Sequence, residues 1–230
     1  MPEELDQECE QIIRAFLQQK YGKVEFPIKT DDLTVMIEQK ADLDSYADFS
    51  AEEGDVQGVT EFTPGKRPVV RISSELQAVY LENRLRTTLT HEYGHVHFHQ
   101  FMFEVETRPG SLFDDDRHLQ VQTNKCKRDT IVNAAESDWM EWQAGFVCGA
   151  MLMPVGPLID TVQAFRAQNG LKLTNITVGS DAGQRLIAAV SAGFQTSKDA
   201  ARVRLMQKRI LTDTGGLVHV GELFKGRDLL

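Results

Sequence analysis

The chain has 230 residues, 41% hydrophobic and 26% charged, a globular rather than disordered composition and enough length for one moderate domain or a domain with an appendage. Its formal charge of −9 argues against a broad nucleic-acid-binding surface. Three cysteines without CxxC spacing, Cys9, Cys126 and Cys148, fit reduced thiols better than a disulfide scaffold, and neither a membrane-length apolar run nor an apolar signal region is present. A cytoplasmic protein without a membrane partner is expected.

In chain order, the opening stretch places Ile12, Ile13, Phe16 and Leu17 on one helical face, closed by Gly22. Pro27 and a Thr30-Asp31-Asp32 cap lead into a short helix carrying Leu33, Val35, Met36 and Ile37. Residues 42–73 alternate apolar and polar between turn signals and predict two or three strands, the last being "PVVRIS". Ser74 and Gln77 form a capping box into a helix over 75–101. The polar stretch 104–133, with its acidic run Asp114–Asp116, reads as a long loop. A second strong helix runs from about Ala134 to Met153 and is stopped by Pro154. Beyond it, two helical stretches, about 182–193 and 197–210, are joined by a turn at Gly193.

Four of the six histidines fall within "HEYGHVHFH", residues 91–99. His91 and His95 are one helical turn apart on the same face, so both imidazoles can reach one cation, and Glu92 between them can take a proton from water. His95 and His99 share that spacing, but Val96 would then replace the acid, so His91 and His95 are the pair. His97 and His99 are read as a partly exposed helix end. Leu85, Leu89, Tyr93 and Val96 form a buried stripe, with the two ligands beside it on a cleft wall. Gly94 implies close approach by another backbone.

A catalytic site needs a third protein ligand. The best candidate helix is "DWMEWQAGFVCGAMLMP", where Glu141 stands among Trp and Met and needs a partner if buried. Asp138, one turn earlier, is a candidate acceptor for an imidazole N–H, or a solvated acid at the helix start. His99, His118 and Cys126 are the other possible ligands. His118, Tyr80 and His99 are candidates to stabilise an oxyanion. Cys148 reads as a small buried apolar residue.

Together, "THEYGHVHFH" and "EWQAGFVCGAMLMP" resemble the ImmA/IrrE family of zinc metallo-endopeptidases, whose second motif is matched by Glu141, Ala144, Leu152, Met153 and Pro154. The resemblance extends loosely over the N-terminal pattern and to Ser197, Ala200, Arg204 and Leu205 near the other end. Gly145 departs from the family's usual Asn, and the 104–133 insert has no clear assignment within the family pattern. The likeness implies zinc on His91, His95 and Glu141, with Glu92 as the base. It also implies hydrolysis of a cytosolic protein substrate, commonly a helix-turn-helix transcriptional repressor in bacteria.

The expected fold is α+β: a helical, zincin-like metallopeptidase core with a small sheet over residues 1–160, and a helical C-terminal appendage over 161–230. A His₂Glu set also suits manganese or iron. Two other functions compete. One is a zinc-stabilised regulatory or partner-binding protein, against which the retained Glu92 weighs. The other is a DNA-binding regulator using the helix with Lys198, Arg202, Arg204, Lys208 and Arg209. For that helix, a charged outer face with Ala201, Leu205 and Met206 packed inward is the simpler reading.

Overall fold

A computed structural model of the chain describes residues 2–52, 54–104, 122–127, 139–171 and 175–213, with backbone alone for 104 and 122–127. Helix α1 (Pro2–Tyr21) buries Leu5, Cys9, Ile13 and Leu17, a four-residue spacing that makes one apolar stripe. Helix α2 (Thr30–Glu38) buries Leu33, Met36 and Ile37. The Thr-Asp-Asp run does not cap it: Lys29 holds the cap position without a side-chain bond. Thr30 instead donates to Glu82, and Asp32 is buried beneath Lys20 and Tyr21, so tertiary partners claimed the capping groups.

Strands β1 (Asp42–Ala47), β2 (Val56–Phe62), β3 (Val69–Ser73) and β4 (Gln122–Lys127) form a mixed sheet in the order β1-β3-β2-β4. β1 runs parallel to β3, while β2 is antiparallel to both of its neighbours. The sequence reading missed β4. "QTNKCK" has little strand propensity, and it is the β2 backbone that recruits it, as context often decides in sheets. β2 is buried at every position except the half-buried Glu61.

Residues 74–81 form two 3-10 turns rather than the start of a long helix, and Ser73, not Ser74, caps the first. Helix α3 (Glu82–Glu104) follows. Every residue from Arg86 to Val96 is buried, because β2 covers one side of α3 and helix α4 (Trp139–Leu152) covers another. Leu89, Tyr93 and Val96 are core, as the stripe predicted, and Leu85 packs at its edge. Gly94 is the close approach: a Cβ there would lie 3.1 Å from the Ala144 Cα of α4.

Helix α5 (Val155–Gln168) was not anticipated. Its Gly156-Pro157 looks like a break, but proline is tolerated in a first turn, where the N–H has no helical partner. Helices α6 (Asp181–Phe194) and α7 (Lys198–Gln207) follow, with a two-stranded sheet of β5 (Ile176–Thr177) and β6 (Leu211–Thr212). Gly193 lies inside α6; the turn is made by Gln195 in the left-handed region, φ 52°.

One hydrophobic cluster runs from Leu5 to Leu211. Ala201 and Leu205 of α7 are fully buried within it and Met206 packs at its margin, as the simpler reading of that helix requires. Of the five cations at 198–209, two serve the interior. Arg204 is 1% exposed, pairs with Asp6 of α1 at 2.6 Å and donates from Nε to the Met153 carbonyl; Lys208 pairs with Asp6 at 2.7 Å. Among the described residues no single helix is long and apolar enough to cross a membrane.

Candidate metal centre

The middle of α3 carries an unusual load of buried polar side chains: Thr87, Thr88, Thr90, His91, Glu92, His95 and His99. Such groups are retained only with partners. The threonines find theirs nearby. Thr87 and Thr90 donate to carbonyls one turn back, and Thr88 reaches Gln57 of β2. The histidines and Glu92 are partnered from other elements, and this is where chemistry concentrates.

His91 and His95 project their Nε2 atoms to within 3.1 Å of each other. Glu141, in the first turn of α4, places one carboxylate oxygen 3.2 Å from His91 Nε2 and the other 3.1 Å from His95 Nε2. Both imidazoles are 0% exposed and Glu141 keeps 12%. The cleft-wall expectation therefore understated the burial, because α4 closes over the helix face that carries the pair. Burial pushes the Glu141 carboxyl up, but its hydrogen bonds and charge interactions with His91 and His95 outweigh this and hold it below the carboxylate range.

Two imidazole nitrogens from α3 and a carboxylate from α4 thus converge, and one ligand atom from each residue lies within 4.8 Å of the other two. A tetrahedral zinc with bonds of about 2.0–2.1 Å sets its ligand atoms about 3.3 Å apart, and the His91–His95 Nε2 separation of 3.1 Å is close to that spacing. Two imidazole nitrogens and one carboxylate are a donor set for zinc, and equally for manganese or iron. His91, His95 and Glu141 are thus a candidate metal site.

Glu92 follows His91 and is fully buried against β2. Thr60 donates its hydroxyl to Glu92 Oε2 at 2.5 Å. At Gly58 any side chain would run into the same carboxylate and into Thr88. Neither Thr60 nor Gly58 was singled out from the sequence: each is one position in an alternating strand, and only the packing of β2 on α3 gives it a role.

The other candidates separate clearly. His99 is 0% exposed, which corrects its assignment to a partly exposed helix end; its Nδ1 lies 3.0 Å from His95 Nδ1, and its Nε2 lies 2.8 Å from Gln143 Oε1 of α4. Burial, with the neighbouring His95, pushes its pKa down to about 4, so the ring is neutral at neutral pH. Gln143 was missed, although a lone amide on an apolar helix two residues from Glu141 was a usable signal. His97 turns away, stacked on Tyr93 and 3.8 Å from Glu8 of α1. Tyr80 is 86% exposed on the turn before α3. Cys148 is buried as expected, and burial pushes its thiol up to about 11 and that of Cys9 up to about 12. Cys126 stands opposite Gly58 in the β2–β4 ladder. Asp138, His118 and Asp114–Asp116 lie outside the described residues. His91 Nδ1 has no hydrogen-bond partner among the described residues.

No protein-family model matches this chain, and no curated protein matches it. What the site defines is a protein of mainly helical α+β fold with a possible His-His-Glu metal centre, spaced as HExxH plus a downstream acid.

Proposed function

We propose that this chain is a zinc-dependent endopeptidase of the cytoplasm, cleaving a protein substrate. A helix-turn-helix repressor is the substrate class that its resemblance to ImmA/IrrE peptidases suggests. The observation that carries the reading is the convergence of His91, His95 and Glu141 from two packed helices, with a buried carboxylate, Glu92, retained beside the first ligand. In this reading residues 1–160 form a zincin-like peptidase unit and 161–230 its helical C-terminal region.

Zinc held by the three residues would supply Lewis acidity toward a scissile carbonyl and lower the pKa of a water molecule. Glu92 accepts a proton from that water as its oxygen adds to the carbonyl carbon. As the C–N bond breaks, Glu92 returns the proton to the leaving amine. The Thr60 hydroxyl holds one Glu92 oxygen throughout, so the carboxylate keeps one orientation as it gains and loses the proton. Glu141 would bring the one negative charge among the three ligands, offsetting part of the charge of a bound cation.

The depth of the site favours a second reading: with both imidazoles at 0% exposure, the same ion could stabilise a regulatory or partner-binding protein. Elemental analysis of the wild type beside Glu141→Ala, with cleavage of a diverse peptide library followed by mass spectrometry, separates the two. The endopeptidase predicts one zinc per chain, lost in Glu141→Ala. It also predicts that Glu92→Gln keeps zinc but loses cleavage by about 10²–10⁴-fold. Zinc bound stoichiometrically with no cleavage by the wild type would select the second reading.

A further inference from the structure

We propose that His99 and Gln143 are positioning residues that fix which nitrogen of His95 carries its proton. This rests on the metal centre read above, and it assigns work to two side chains that neither the HExxH spacing nor the downstream acid includes.

Hydrogen-bond direction carries the inference. His95 must present a lone pair at Nε2, the atom that faces His91 Nε2 and Glu141. Its proton then sits on Nδ1, and the only way to place an N–H there inside the protein is to give it an acceptor. The atom 3.0 Å away is His99 Nδ1. A neutral imidazole accepts at one nitrogen only when the other carries the proton. His99 therefore has its proton on Nε2, and 2.8 Å from that atom is Gln143 Oε1, an acceptor that cannot titrate. Each bond dictates the next: the Gln143 carbonyl takes the His99 proton, His99 takes the His95 proton, and His95 Nε2 is left bare toward the ligand triangle.

The reverse polarity is self-defeating. Were the Gln143 amide N–H₂ to face His99, His99 would donate from Nδ1, His95 would accept there, and an N–H would point at the ion. The structure guards the relay from water, which would scramble it. His99 is 0% exposed, and the Trp139 ring lies edge-on to it at 5.3 Å between centroids. The layout also ties the relay to the same two helices as the ligands. His99 sits one turn after His95 on α3, and Gln143 two residues after Glu141 on α4, so docking α4 on α3 delivers the third ligand and the terminal acceptor in one step.

The test is zinc affinity by chelator competition, for full-length wild type, His91→Ala, His99→Leu, Gln143→Leu and Gln143→Glu, with thermal melts of each. The metal-loaded wild type is also read by long-range ¹⁵N–¹H correlation of its imidazoles. Removing either relay member is expected to weaken zinc by ~10–100-fold, the usual range for groups that orient a ligating imidazole. Gln143→Glu, which keeps an acceptor at the end, is expected to restore affinity to that of wild type or better. The nitrogen spectrum should show His95 protonated at Nδ1 and His99 at Nε2. Since His99→Leu can fail to fold, the Gln143 pair and the spectrum decide independently. Wild-type affinity in Gln143→Leu, or His99 protonated at Nδ1, overturns the relay while leaving a metal centre that His91→Ala abolishes. A wild type that binds no zinc sinks the metal centre, and the relay with it.

Discussion

At the scale of single residues, the site depends on who holds each buried polar atom. Thr60 is the clearest case, since its hydroxyl meets Glu92 Oε2 in a place with no exposure to water. Thr60→Val keeps the shape and removes the donor, so it is expected to cost about 1–3 kcal/mol of stability, the penalty for leaving a buried acceptor short. Zinc content should be unchanged while turnover falls, because the substitution touches the base and not a ligand; denaturant melts, elemental analysis and peptide cleavage check the three parts. His97 offers a different kind of test. Burial, with Lys40, pushes its pKa down to about 4, outweighing Glu8, which lies 3.8 Å away but is itself more than half exposed. The folded value is below the unfolded one, so between them the unfolded chain binds the extra proton. Stability from this group is complete above the unfolded value of about 6.5 and drains away as pH falls toward 4. Between pH ~7 and ~5 the wild type should lose up to ~2 kcal/mol more than His97→Gln does. Equal pH profiles for the two would place His97 in water.

At the scale of elements, the pairing of α3 with α4 is what turns a motif into a site. Gly94 and Ala144 let the two backbones meet, which sets Glu141 against His91 and His95. Gly94→Ala should gain up to ~1 kcal/mol in helix propensity. It would also place a Cβ 3.1 Å from the Ala144 Cα, where neither backbone can yield without separating the helices. The clash should win, for a net loss of about 1–3 kcal/mol. Zinc should weaken in the same variant, since Glu141 rides on the displaced helix; a Gly94→Ala protein with unaltered melting and unaltered zinc affinity would contradict this account of the pairing. The same scale explains the elements that sequence patterning mistook. α3 is buried beyond its Leu89–Tyr93–Val96 stripe because both β2 and α4 pack on it, which the stripe alone did not signal. β4 exists by virtue of its neighbour rather than its composition.

At the scale of the whole molecule, the last described helix is bound to the first. Asp6 of α1 meets Arg204 of α7 and Lys208 just past its end, and Arg204 also holds the Met153 carbonyl that follows α4. The two stretches noted in the sequence for their likeness, one ending in "LMP" and one containing Arg204, are therefore in contact. Asp6→Ala would leave a fully buried guanidinium without its carboxylate, and is expected to cost ~3–5 kcal/mol. A thermal melt checks it, and a Tm unchanged within error would mean that α7 is held by its apolar face alone. Because Arg204 and Lys208 are spent in this way, a DNA-reading role for α7 would have to rest on the remaining cations.

The sequence by itself determined the local things. His91, Glu92 and His95 are set by i, i+4 geometry; Glu141 stood out as an acid needing a partner; Gly94 announced a close backbone; and the positions of α1, α2 and β3 followed from apolar periodicity. These are legible because helix and strand periods act over a few residues. Tertiary structure alone decided the rest. It brought Glu141 across fifty positions to the histidines, set Thr60 and Gly58 on Glu92, and buried His99 between His95 and Gln143. It also built a strand from a polar stretch and set a glutamine, not a glycine, at the turn before α7. The physical reason is common to all of these: a hydrogen bond between residues distant in the chain leaves no period in the sequence, and its partners are chosen only when helices and sheet pack.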